Sequence, residues 1–139
     1  MKIGGLIICF VLMYTSFSFA QKPFGFGQTE AEIRDSKRAD PYFAFWHKGT
    51  TSNGGMFIAY KITSGSGYVT YHFNDNDVCW MYTVTSDIIQ LNFARKELEK
   101  NFDRINDETW ISKDLFTAAS IKISEEKKQF TIIYVDKTP

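Results

Sequence analysis

Two alternating runs joined by four polar residues, across positions 68–85 (YVTYHFNDNDVCWMYTVT), constrain the fold more than any other part of this chain. Val69, Tyr71 and Phe73 alternate with Thr70 and His72; Val78, Trp80, Tyr82 and Val84 alternate with Cys79, Met81 and Thr83. A period of two is the mark of strands with one buried face. The intervening Asn74, Asp75, Asn76 and Asp77 tolerate left-handed backbone and close turns through their own side chains. A tight turn centred on Asp75 and Asn76 predicts Phe73 opposite Val78, Tyr71 opposite Trp80 and Val69 opposite Tyr82. Trp80 is then a structural residue on the buried face, and His72 faces Cys79 on the other side.

The remaining segments are read against this hairpin. Residues 42–48 (YFAFWHK) are aromatic and too short for a helix between Pro41 and Gly49, so they form a strand. After the polar GTTSNGG loop, residues 56–63 (MFIAYKIT) read as a central strand, and Ser64-Gly65-Ser66-Gly67 turns into the hairpin. Short connections make this a four-strand antiparallel meander.

From Ser86 the period changes. Ile88, Leu91, Arg95, Leu98, Phe102 and Ile105 recur at spacings of three and four, which predicts a helix over residues 87–105 lying on the Val69, Tyr71, Trp80 and Tyr82 face. Each Leu, Ile or Phe buried there contributes about 1.5–3 kcal/mol. Residues 109–112 add at most a short strand. Ala119, Ile121 and Ile123, then Phe130, Ile132 and Tyr134, form a second hairpin around Glu126-Lys127, with Ile123 opposite Phe130 and Ile121 opposite Ile132. The expected fold is α+β: an antiparallel sheet of about six strands, a four-strand meander plus the C-terminal hairpin, with one long helix packed on one face and a short N-terminal helix. No internal repeat is visible in the sequence.

At the N-terminus, Lys2, an apolar run through Met13 and a closing Ser18-Phe19-Ala20 follow the order of a secretory signal peptide over residues 1–20, with cleavage expected between Ala20 and Gln21. The apolar run is shorter than the roughly 18 residues a membrane span requires. Leu6-Ile7-Ile8-Cys9 resembles a lipobox but has Ile8 where that motif needs a small residue. Cleavage leaves 15 basic against 16 acidic side chains, scattered without a basic stripe, which argues against nucleic acid as a partner. Cys79 is then the only cysteine, so no intramolecular disulfide is expected in an oxidising compartment. Residues 21–27 read as an extended leader and 28–139 as one domain, large enough to bury a core unaided.

Thr29 and Glu32 have the spacing of a capping box, opening a short helix through about Arg38 that Pro41 bounds. Gly27-x-Thr29-x-x-Glu32-Ile33 faintly resembles the opening of small envelope proteins of the outer-membrane-assembly lipoprotein and β-lactamase-inhibitor-like type. The resemblance covers this helix alone, and the Gly-x-Pro that often follows in those families is absent.

Chemistry is sparse. His72 opposite Cys79 would pair an imidazole with a thiol, yet the other histidine, His47, does not complete a zinc set, and no orienting partner or oxyanion hole is legible. The four residues 74–77 lack the Gly and the later Glu of a calcium loop, and Asp75 and Asp77 stand too close on one turn to straddle a sugar. No nucleophile elbow, phosphate loop or dinucleotide fingerprint occurs, and neither cofactor nor metal is expected.

What stands out is the 17% aromatic content, because alternation sends successive rings to opposite faces of a sheet. Either the leader and first helix cover the second face or rings are left exposed, where they suit a protein, peptide or glycan partner. Trp46, His47 and Tyr42, beside the GTTSNGG loop, are the expected contact residues. The chain is thus expected to be a secreted or periplasmic, non-catalytic binding or interaction module of a bacterial envelope or secretome. The alternative is a small exported hydrolase or thiol enzyme using His72 and Cys79.

Overall fold

The computed structural model describes residues 23–138. The expected signal peptide and its cleavage site lie outside the described residues. A single 3-10 turn (Pro23–Gly25) leads into α1 (Glu30–Lys37), then β1 (Phe43–Thr50), β2 (Met56–Ile62), β3 (Tyr68–Phe73) and β4 (Cys79–Asp87). A second 3-10 turn (Ile88–Gln90) leads into α2 (Leu91–Asn101), followed by β5 (Phe102–Asn106), β6 (Thr109–Ser112), β7 (Thr117–Ser124) and β8 (Gln129–Asp136). The same order, one short helix and a four-strand meander, therefore occurs twice. Strands pair in the order β1-β2-β3-β4-β8-β7-β6-β5, antiparallel at every step, so the two meanders join through β4 and β8 and leave β1 and β5 as edges.

This corrects the expected six-stranded sheet with one long helix. The helical period is present in residues 91–101, where Ala94 and Leu98 are buried, but the chain leaves the helix at Phe102. Phe102, Asp103 and Arg104 pair instead with Ser112, Ile111 and Trp110. Phe102 is the buried residue of this strand, while Arg104 and Ile105, the latter expected on the helix stripe, are exposed. Arg95 does not lie across the stripe; it pairs with Glu108 of the β5–β6 turn. Helix and strand periods both fit a short apolar pattern, and the waiting edge of β6 decided the matter.

The capping box forms: Thr29 Oγ1 accepts from Glu32 N at 3.2 Å, and Glu32 Oε1 accepts from Thr29 N at 2.9 Å. Ile33 is the buried residue of α1, and Glu30 ties that helix to β1 through Lys48 at 2.8 Å. The described part of the expected extended leader, residues 23–27, instead contributes to the core. Phe24 and Phe26 are buried, and the Phe24 ring stacks on Tyr134 at 4.2 Å and on Tyr82 at 5.4 Å. Its stacking holds Phe24 at φ 60°, in the left-handed region that costs an L residue roughly 1–2 kcal/mol. Gly25 follows at φ +75°, where a Cβ would stand 3.2 Å from Ile33 and 3.3 Å from Tyr71.

The organising hairpin is present, but its register differs by two residues beyond the turn, and each residue has a separate cause. Asn74 Oδ1 accepts from Asn76 N and Val78 N, and Asp77 takes φ 60°, which widens the turn and sets Phe73 opposite Cys79. A β-bulge then inserts Trp80 as an extra residue, so His72 pairs with Met81, Tyr71 with Tyr82 and Val69 with Val84. The two offsets restore parity for Tyr82 and Val84, which remain buried, and reverse it between them. Cys79 is inside and Trp80 outside.

Candidate functional site

The face of the sheet that carries Ile58, Tyr60, Val69, Tyr71, Tyr82 and Tyr134 is the core side. Its opposite face is not covered by either helix, and in the first meander it carries rings. The Trp46 ring meets His47 at 4.7 Å, His47 meets Phe57 at 5.5 Å, and Phe57 meets His72 at 5.6 Å. This ladder crosses β1, β2 and β3. Trp46 also meets Tyr68 edge-on at 5.3 Å, and Lys61 Nζ lies 4.9 Å from the Trp46 ring centre.

Two bulges shape this face. In β1 the pairing passes from Phe45 to His47 and leaves Trp46 as the extra residue, just as Trp80 is the extra residue of β4. A bulge turns a side chain that simple alternation would have sent elsewhere, and here both turned side chains are tryptophans, 44% and 40% exposed. Trp80 was expected inside and structural; the bulge places it outside. Gly49 belongs to the same construction, because a Cβ there would stand 2.7 Å from the Phe57 ring, which lies across the glycine.

Polar groups fill the spaces between rings. His72 Nε2 is 2.9 Å from Thr70 Oγ1, the Thr70 hydroxyl contacts that of Thr83, and Thr85 bonds Thr131 at 2.9 Å. Burial holds the His72 pKa below that of a free imidazole, so the ring is neutral at neutral pH. His72 and Trp80 line a cavity of about 490 Å³ with Asn53, Asn74 and Asp75. A second cavity, of about 640 Å³, lies at the other end of the ladder between Trp46, Tyr68 and the β2–β3 turn. Both are open hollows on the surface and not enclosed pockets.

The expected contact residues divide. Trp46 and His47 stand together in the ladder, while Tyr42 is half exposed ahead of β1, its amide bonded to Asp40, and takes no part in the ring contacts. Phe57, Tyr68 and Lys61 belong to the face although they were not expected as contact residues, and Trp80 joins them although it was expected inside. Alternation in β2 could have shown two of them, since Phe57 and Lys61 oppose the buried Ile58, Tyr60 and Ile62.

His72 and Cys79 are not brought together. Cys79 pairs with Phe73, points into the core at 1% exposure, and has its pKa raised to about 12 by burial, whereas His72 lies on the outer face. A thiol held in that state supplies no thiolate near neutral pH. Among the described residues, no three His, Cys, Asp or Glu side chains gather as a metal site.

No protein-family model matches the chain, and neither curated proteins nor solved structures provide a match. The arrangement of residues is therefore the basis for a functional reading.

Proposed function

We propose that this chain is an exported, non-catalytic binding module of a bacterial envelope or secretome, and that the ring-bearing outer face of β1–β4 is its ligand platform. The single observation that carries the reading is the continuous ladder Trp46, His47, Phe57, His72 across three strands, with a bulge turning a tryptophan outward at either end. Rings held by a hydrogen-bonded sheet lose little entropy on binding, and the hydroxyl and imidazole groups between them supply direction. Export is supported by the charged, apolar and small-residue order of residues 1–20. The natural site of action is the periplasm or the extracellular medium.

The three tryptophans provide the test, because Trp46 and Trp80 are exposed on the platform and Trp110 is buried in the core. Indole N–H resonances of residues 21–139, titrated with size-fractionated envelope polysaccharide and with envelope peptides, should shift for Trp46 and Trp80 and stay fixed for Trp110. Trp46→Ala and Phe57→Ala should abolish that response while the fold is retained. Shifts confined to the β5–β8 half would defeat the proposal. Intact mass of the exported product should correspond to a chain beginning at Gln21; a product retaining Met1 would refute export.

A further inference from the structure

We infer that the Trp46 end of this platform is a subsite for an acidic saccharide, a pyranose ring carrying a carboxylate; the inference rests on the platform reading and names its ligand class. The first argument is shape. Trp46 and Tyr68 meet at an interplanar angle of 69°, forming a corner whose walls accept the C–H face of a sugar ring.

The second argument is charge. The 640 Å³ cavity is lined by Trp46, Lys61, Ser66, Tyr68 and Gln129 among others, and no carboxylate is part of its wall. Lys61 makes no ion pair among the described residues; its ammonium rests over the Trp46 ring. A sugar stacking on that ring displaces the ammonium, and a carboxylate on the sugar provides the partner it then takes. The Ser66 hydroxyl and the Gln129 amide remain for the ring hydroxyls. The other cavity differs, since Asp75 lies in its wall beside His72.

The probes are two β-1,4-linked tetrasaccharides that differ only at C6, cellotetraose and the corresponding tetraglucuronate, titrated against residues 21–139 with the Trp46 indole resonance as the readout. Tetraglucuronate should bind about fivefold more tightly at low salt, an advantage of the size of one exposed ion pair. The advantage should fade as NaCl is added. Lys61→Gln should equalise the two sugars, Lys61→Glu should reverse their order, and Trp46→Ala should remove both. Equal affinities that depend on Trp46 but not on Lys61 would overturn the acidic preference and leave the platform standing. Binding of an oligoglutamate peptide at Trp46 with neither sugar bound would overturn the saccharide inference and retain the platform for polypeptide. Failure of all three probes to shift Trp46 would overturn the inference, and the platform would then be judged by the envelope fractions above.

Discussion

The two halves of this molecule share a scaffold and differ in what they present. Each is a short helix followed by a four-strand meander, and β4 pairs with β8 to make one sheet of both. On the core side they are equivalent: Tyr71 and Tyr82 of the first half share one buried core with Trp110, Phe130 and Tyr134 of the second. On the outer side they diverge along a single row of paired residues. Phe57, His72 and Met81 continue across the junction into Val135, Ala118 and Ile111. Aromatic and imidazole rings become small aliphatic groups although the backbone is the same. Under the proposed function, the core rings serve stability and the outer rings serve contact.

If the comparison is right, the largest effects lie inside and are alike in both halves. Tyr71→Ala and Trp110→Ala should each lower unfolding free energy by about 3–5 kcal/mol in urea denaturation, a large part of the roughly 5–15 kcal/mol of a small domain. A small loss for either would show that one core is dispensable. Cys79→Ser should come next, at roughly 1–3 kcal/mol, because it places a hydroxyl in the wall that now holds a weakly polar thiol 3.6 Å from the Met81 carbonyl. The same thiol should react with a disulfide reagent only after unfolding; rapid labelling of the native protein would contradict its position.

A smaller effect is expected from pH. His72 has a lower pKa folded than unfolded, so the unfolded chain binds more protons and stability falls as pH drops through the ordinary imidazole value of about 6.5. The loss continues until the folded imidazole itself protonates. His72→Gln should flatten this part of the stability profile, and an unchanged slope would remove His72 as its source. The smallest stability effects should come from the platform. Trp46→Ala and Trp80→Ala should each change unfolding free energy by less than about 1 kcal/mol, since both indoles are already wet. Unfolding by Trp80→Ala would mean that the bulge had not turned it outward.

The sequence by itself determined the cap of the first helix and the closing of the C-terminal hairpin. Thr29 and Glu32 form the capping box that their spacing announced, and Ile123 pairs with Phe130 and Ile121 with Ile132 around a charged turn. These features depend on neighbours within a few residues, so period and turn chemistry carry them. Tertiary structure decided the rest. A left-handed Asp77 and an inserted Trp80 each cost one residue of register, and neither leaves a trace in the alternation of the chain around it. Phe102 left the helix because β6 offered hydrogen bonds, and Phe24 and Phe26 left the leader because the core had room for rings. Trp46 and His47 were legible as exposed residues of a short strand, but their ladder with Phe57 and His72 was not. Which face a ring takes is a property of the strand it pairs with, and a local period cannot report its partner.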